Sequence, residues 1–243
     1  MRVLVVTAVP VERDAVTRAF GGTPEPVVLP GAELHRSGAF DVLAGGAGPA
    51  AAAAAAAFAL ASTQHPSTTR PLSSTQHPYG LVVSAGIGGG FAPAAPLGSL
   101  VVASDIVAAD LGAETPDGFA PVTALGFGRD RFTPPPALVR EVASATGAAP
   151  GPVLTVSTVT GTADRTAALL AAHPDALAEA MEGFGVAEAA ERAGVPVLEL
   201  RAISNTVGPR DRAAWRIGDA LAALTEAFGK SAPVLEGWNR HDH

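Results

Sequence analysis

Apolar residues fall along this chain in short, nearly unbroken runs: Val3–Val6, Asp41–Ala44, Leu81–Ser84, Leu100–Ala103, Val153–Ser157 and Val197–Ala202. Runs of this length without strict alternation predict strands covered on both faces. Between them lie stretches of helical character at Pro10–Phe20, Pro49–Ala61, Ala163–Ala172, Phe184–Ala193 and Arg212–Phe228. Pro10 suits a first helical turn, where the missing N–H has no partner to lose. The alternation predicts an α/β fold with a central mixed, largely parallel sheet flanked by helices, in one domain over 1–232. In such sheets ligands sit beyond the carboxyl ends of the strands, so the residues that follow each run are the ones to search for chemistry.

Two segments stand outside this pattern. Residues 62–78 hold Ser-Thr-Gln-His-Pro twice, at Ser62–Pro66 and Ser74–Pro78, and read as a low-complexity insertion loop on the surface. The two repeated histidines are assigned no chemistry. From 233 to 243 the sequence reads as a frayed tail, with Trp238 able to dock on the body.

Composition narrows the classes of function. With 243 residues, 48% of them hydrophobic and 16% charged, the chain can bury a full core and is a poor candidate for disorder. A net charge of −7 without any basic cluster argues against nucleic acid as a partner. The absence of cysteine removes disulfides, thiolate metal sites and cysteine nucleophiles, and the six histidines show no paired metal-ligand spacing, so no metal is expected. The opening Met1–Arg13 has one apolar run of six residues, too short for a signal-peptide core and far below the ~20 residues of a membrane span; cytoplasm, without membrane association, is the expectation. Fifteen of the sixteen basic residues are Arg and Ala dominates, a bias of coding rather than of chemistry.

Five features bear on chemistry. Glu12 lies in the opening turn of the first predicted helix, which suits either a capping acid or a carboxylate at the ligand edge of the sheet. Gly45-Gly46-Ala47-Gly48 and Gly86-Ile87-Gly88-Gly89-Gly90 each follow a predicted strand, as tight turns or as loops that let backbone approach a ligand; neither fits a dinucleotide fingerprint or a P-loop. Met181-Glu182 stands in an Ala-rich apolar stretch ending at Gly183, as core filling beside a solvated acid or as a pair that grips vicinal hydroxyls. Asn205 closes Arg201-Ala202-Ile203-Ser204-Asn205, as a turn residue or as an amide presented beyond the last strand.

In this order and spacing, the five features resemble the nucleoside phosphorylase and nucleosidase superfamily over nearly the whole chain. The likeness is greatest to its futalosine-cleaving branch, a relative of the methylthioadenosine/S-adenosylhomocysteine nucleosidases, through Val107–Glu114 and Ser204–Asp211. The resemblance implies a single-domain, three-layer nucleoside phosphorylase-like fold, and hydrolysis of futalosine to hypoxanthine and dehypoxanthine futalosine in menaquinone biosynthesis. The substrates would be a nucleoside and water, with no cofactor. It further implies Glu12 as the base that activates water, Glu182 on the ribose hydroxyls with Met181 against the ribose face, and Gly86, Ile87 and Gly88 lining the pocket. Asn205 would hold the base: an amide can accept from N7–H and donate to O6, the pattern of hypoxanthine, where adenine-cleaving relatives carry Asp. Phe184 stands in for a purine-stacking aromatic that is missing from Ser157–Thr162. Arg129 and Arg131 are expected to meet the carboxylate of the 5′ substituent, across the interface of a homo-oligomer.

Two other readings stay open on the residues. One is a methylthioadenosine/S-adenosylhomocysteine nucleosidase or another purine nucleosidase or phosphorylase, with Arg13 beside Glu12 leaving room for phosphate. The other is a non-catalytic nucleotide-binding regulator, which stoichiometric NAD binding without turnover would mark.

Overall fold

A computed structural model describes residues 1–29, 32–62 and 78–238. In chain order its strands are β1 (Arg2–Thr7), β2 (Glu25–Leu29), β3 (Ala32–Ser37), β4 (Phe40–Ala44), β5 (Tyr79–Gly90), β6 (Leu100–Ala108), β7 (Gly112–Thr115), β8 (Gly118–Pro121), β9 (Arg131–Phe132), β10 (Ala149–Thr155), β11 (Ala178–Ala180) and β12 (Val197–Thr206). The helices are α1 (Pro10–Arg18), α2 (Pro49–Ser62), α3 (Pro136–Thr146), α4 (Ala163–Ala172), α5 (Gly183–Arg192) and α6 (Ile217–Gly237). The expected insertion loop lies outside the described residues, apart from its ends at Ser62 and Pro78. Among the described residues, no helix is long and apolar enough to cross a membrane.

One mixed sheet of ten strands runs β11-β10-β6-β12-β5-β1-β4-β3-β2, with β9 against β6. The strands β4, β1, β5 and β12 are mutually parallel, which brings their carboxyl ends to one edge. Helices α2 and α5 cover one face and α1, α3 and α6 the other. Alternate residues of β1 therefore go to different cores: Leu4 and Val6 pack with Ala52, Ala56 and Val186, whereas Val3 and Val5 pack with Val16, Leu224 and Phe228. Covering on both faces is why the strands read as continuous apolar runs.

The strand β5 is longer than the sequence suggests. The glycine run expected to be a loop continues it to Gly90, because neighbouring groups cross it too closely for side chains. A Cβ at Gly88 would lie 2.9 Å from the Glu179 carbonyl and one at Gly90 would overlap the Ala95 carbonyl oxygen. There β11, already parallel to β10, also pairs antiparallel with β5 through Ala178 and Gly90, so that β5, β12, β6, β10 and β11 close into a ring. The tail also differs from expectation: α6 passes through Pro233 to Gly237, and Leu235 and Trp238 are buried against the core of α1, α3 and α6. Burial of those side chains outweighs the backbone hydrogen bond that Pro233 removes.

At the opposite edge, Asp41 is a buried anchor. It accepts from Arg36 Nε at 3.0 Å, from the Tyr79 hydroxyl at 2.7 Å and from the Arg2 guanidinium. Its burial opposes ionisation, but these donors hold its carboxyl below the ordinary aspartate range. Replacing Asp41 by Asn is expected to lower stability at neutral pH by about 2 kcal/mol, since the partners keep partial access to water. Because the folded-state pKa is depressed, this contribution is present above the unfolded aspartate pKa and lost as pH falls through the folded value. Urea unfolding of both proteins at pH 7 and pH 3 should therefore show the gap closing in acid.

Candidate active site

The carboxyl edge of the parallel strands carries the expected acids, each placed by local geometry. The chain turns from β1 into α1 with Pro10 at the first helical position and Glu12 in the first turn. Glu12 folds back: Oε2 accepts from the backbone N–H of Ala8 at 3.0 Å and of Val9 at 3.3 Å, and Oε1 from Ile87 N–H at 2.8 Å. The side chain is 3% exposed. Burial raises its pKa, against the lowering by the Ile87 N–H and the nearby Arg201, while Glu182 adds to the rise. Gly86 makes the approach possible, since a Cβ there would lie 2.6 Å from Glu12 Oε1.

Glu182 sits at the junction of β11 and α5, as its place before Gly183 suggests. Its Oε1 accepts from Gly48 N–H at 3.2 Å and its Oε2 from Met181 N–H at 3.3 Å. Gly48 is reached at φ +92°, in the turn between β4 and α2, which gives the Gly45–Gly48 motif a function in holding this acid. Met181 is half-buried beside it.

Two further charges, which sequence reasoning left without a role, complete the cluster. Arg201 and Glu199 lie two residues apart on β12 and are both fully buried. Arg201 Nη1 stands 3.2 Å from Glu182 Oε2, and Nε bonds Glu199 Oε1 at 2.8 Å. The available signal was a Glu-Leu-Arg pattern inside an apolar strand: residues two apart share a face, and buried charges occur almost only as pairs. Arg13, in contrast, is turned away to Asp14 at 2.9 Å and Glu33 at 2.9 Å.

Asn205, one residue before the end of β12, lines a small cavity of about 90 Å³ together with Thr160, Thr206, Gly208 and Trp215. The Ser204 hydroxyl donates to Asn205 Oδ1 at 2.9 Å, and Asn205 Nδ2 donates to the Thr206 carbonyl at 3.2 Å. The Gly88 carbonyl lies 3.2 Å from the same Ser204 hydroxyl as the alternative acceptor for its one proton, so Ser204 stands between this amide and the glycine strand. Behind the cavity, the buried Glu179 accepts from the Thr160 backbone N–H at 2.8 Å and from its hydroxyl, which fixes the loop after β10.

Three expected residues stand elsewhere. The Phe184 ring packs 5.2 Å from Phe132 within the core, because the backbone of α5 is fixed by Phe184 N–H to Thr155 Oγ1 at 2.9 Å; the aromatic at the Asn205 cavity is Trp215. Arg129 pairs with Glu191 at 3.0 Å and Arg131 with Asp105 at 3.4 Å. Both are half-exposed, and neither pairs with the acid cluster within this chain. Among the described residues no group of three or more His, Asp or Glu is placed to hold a metal ion.

The site thus gathers Glu12, Glu182 and Glu199 around Arg201, in a fold whose family model, the phosphorylase superfamily, matches residues 2–236. A futalosine hydrolase of Streptomyces coelicolor is 65% identical over 243 residues, covering 100% of both chains. A futalosine hydrolase of Acidothermus cellulolyticus is 44% identical over 230 residues, 93% of this chain and 88% of that one. In fold, the chain is similar to a futalosine hydrolase mutant of Helicobacter pylori, with TM-score 0.78, 18% identity and coverage of 96% and 99%. It is equally similar to the methylthioadenosine/S-adenosylhomocysteine nucleosidase of Neisseria meningitidis in complex with methylthio-immucillin-A, with TM-score 0.78, 17% identity and the same coverage. The chain is an N-glycosyl hydrolase of the phosphorylase superfamily and, within it, belongs to the futalosine hydrolase family.

Proposed function

We propose that the protein hydrolyses the N-glycosidic bond of futalosine, releasing hypoxanthine and dehypoxanthine futalosine, as a cytoplasmic step of menaquinone biosynthesis. The observation that carries the reading is the buried carboxylate cluster at the sheet edge beside an Asn rather than an Asp. Cleavage passes through a ribosyl cation, which carboxylates stabilise and which water completes. Water attacks the anomeric carbon as Glu12 takes its proton, and the C–N bond electrons leave with the purine, which takes up a proton from solvent at N7 as it departs. Glu182 holds the ribose hydroxyls, with Met181 against the sugar and the Gly86-Ile87-Gly88 backbone beneath it. Asn205 accepts from N7–H and donates to O6 of the leaving hypoxanthine, with Trp215 walling its cavity. Three carboxylates around one guanidinium repel a phosphate dianion, which favours water as nucleophile; Arg13, held by Asp14 and Glu33, supplies no anion site.

The protein works as a homo-oligomer in this reading. Leu111, Phe119, Leu125 and Phe127 expose apolar surface around the β7–β8 hairpin, next to Arg129 and Arg131, which in a partner's pocket would meet the 5′ carboxylate.

The test is release of free base from futalosine, aminodeoxyfutalosine, inosine and methylthioadenosine, each with and without phosphate. Hypoxanthine release from futalosine, independent of phosphate, is expected. Adenine release would replace the reading by the methylthioadenosine one, and phosphate dependence by phosphorolysis. The variant Asn205→Asp is expected to lose about 10²-fold in kcat/KM on futalosine while gaining on adenine nucleosides, because a carboxyl can protonate N7 but cannot donate to O6 when ionised.

A further inference from the structure

Glu199 and Arg201 form an ion pair in which both partners are wholly shielded from solvent. Along β12 they face Ser84 and Gly86 of β5. Glu199 Oε1 accepts from Arg201 Nε at 2.8 Å, and Arg201 Nη2 donates to the Ser84 hydroxyl at 3.0 Å. Two of the three guanidinium nitrogens are thereby fixed. The third, Nη1, makes no hydrogen bond, lies 3.2 Å from Glu182 Oε2 and stands beside Gly86, where a Cβ would be 2.8 Å from it and 2.6 Å from Glu12 Oε1. The guanidinium cannot shed its proton and needs a counter-charge when buried. Glu12 and Glu182 each accept from backbone N–H groups, but among the described residues Glu199 has Arg201 as its only donor, with Oε2 unpartnered. Gly183, at the start of α5, leaves room for it: any Cβ there would overlap the Glu199 carboxylate.

We propose that Glu199 is a positioning residue for the hydrolysis: it holds Arg201 by Nε, aims Nη1 between Glu12 and Glu182, and neutralises its charge so that Glu12 keeps its strength as a base. The inference deepens the function proposed above and rests on Glu12 being the base. Among the described residues, the charged groups that face Glu12 are Arg201 and, behind it, Glu199 from β12, and Glu182 from the turn before α5. The segment before α1 and β5 present backbone N–H groups.

Glu199→Gln keeps the shape and the acceptor for Nε and removes the charge. Arg201 then acts on Glu12 uncompensated and favours its ionised form, so Glu12 should titrate lower. The titration is read directly by carboxyl ¹³C NMR of the ligand-free protein, with Glu12→Gln identifying the signal, and compared with the acid limb of kcat/KM for base release. In Glu199→Gln both should move down by about one pH unit and kcat should fall about tenfold, with KM changed less than about twofold. Glu199→Asp keeps the charge but is too short to hold Nε, so it should leave the titration near that of the parent and lower kcat. A Glu12 titration unchanged in Glu199→Gln overturns the proposal. If Glu199→Gln does not fold, an undiminished kcat in Glu199→Asp overturns it equally. A shifted titration in a protein that releases no base from any nucleoside supports the charge coupling and sinks the hydrolase reading instead.

Discussion

Glu12→Gln is expected to lower kcat for base release by about 10²–10⁴, with KM nearly unchanged, because it removes the proton acceptor and keeps the shape. The amide has a single acceptor oxygen, so it can serve either Ile87 N–H or the Ala8 and Val9 N–H groups and turns its NH2 toward the others; the thermal midpoint should fall modestly, and a melting curve separates that loss from the loss of kcat. In the parent protein, burial holds the Glu12 pKa above the ordinary glutamate range. Activity should therefore fall on the acid side through an apparent pKa above that of a free glutamate, as the base takes up its proton. Steady-state kinetics of both proteins across pH 4 to 8 (about four decades of proton activity) checks both statements. A Gln variant with parental kcat would remove Glu12 from the chemistry.

The second large effect concerns stability. Replacing Arg201 by Met keeps the volume and removes the cation that stands among three buried carboxylates. Breaking a buried pair from one side typically costs about 3–5 kcal/mol, and the loss at neutral pH should fall in that range. Glu199, without a donor, can then stay buried only by taking a proton. Its folded-state pKa, already raised by burial, rises further above the unfolded value. A group raised in this way contributes stability below its unfolded pKa and loses it as pH rises through the folded one. The penalty for Arg201→Met should thus be largest at pH 8 and shrink toward pH 5. Guanidinium unfolding at the two pH values measures this, and an equal penalty at both would contradict the ionised state of Glu199.

The sequence carried the main strands clearly because most are apolar on both faces, and α4 fell on its expected limits, with the Thr162 side chain accepting from Arg165 N–H to cap it. The strands β2 and β3 went unread since their largely exposed positions supply few apolar residues. Helix α3 was missed although its Leu138, Val139 and Val142 share a buried face and Gly147 ends it at φ +78°. The glycine run was misassigned for a physical reason: local signals read glycine as a break, whereas here it answers crowding from residues distant in sequence. In the site, Glu12, Glu182 and Asn205 could be singled out by their places at strand ends. Arg201 and Glu199 could not be given roles in the same way, because their meaning depends on which groups face them across strands. The packing of Phe184 against Phe132 was not legible either, since the sequence shows an aromatic at a helix start but not which way its ring turns.

The closure of β11 on β5 has a kinetic consequence. The bonds that define the site span long stretches of chain: 75 residues from Glu12 to Ile87, 117 from Ser84 to Arg201 and 134 from Gly48 to Glu182. Loop-closure entropy must be overcome before any of these contacts is gained, and such non-local pairings slow folding. No local fragment of the chain contains the acid cluster, so it assembles only when β11 and β12 have joined the strands that were made first. A chain from which β12 has not yet emerged lacks Glu199 and Arg201, so it holds an incomplete cluster however far its earlier strands have folded.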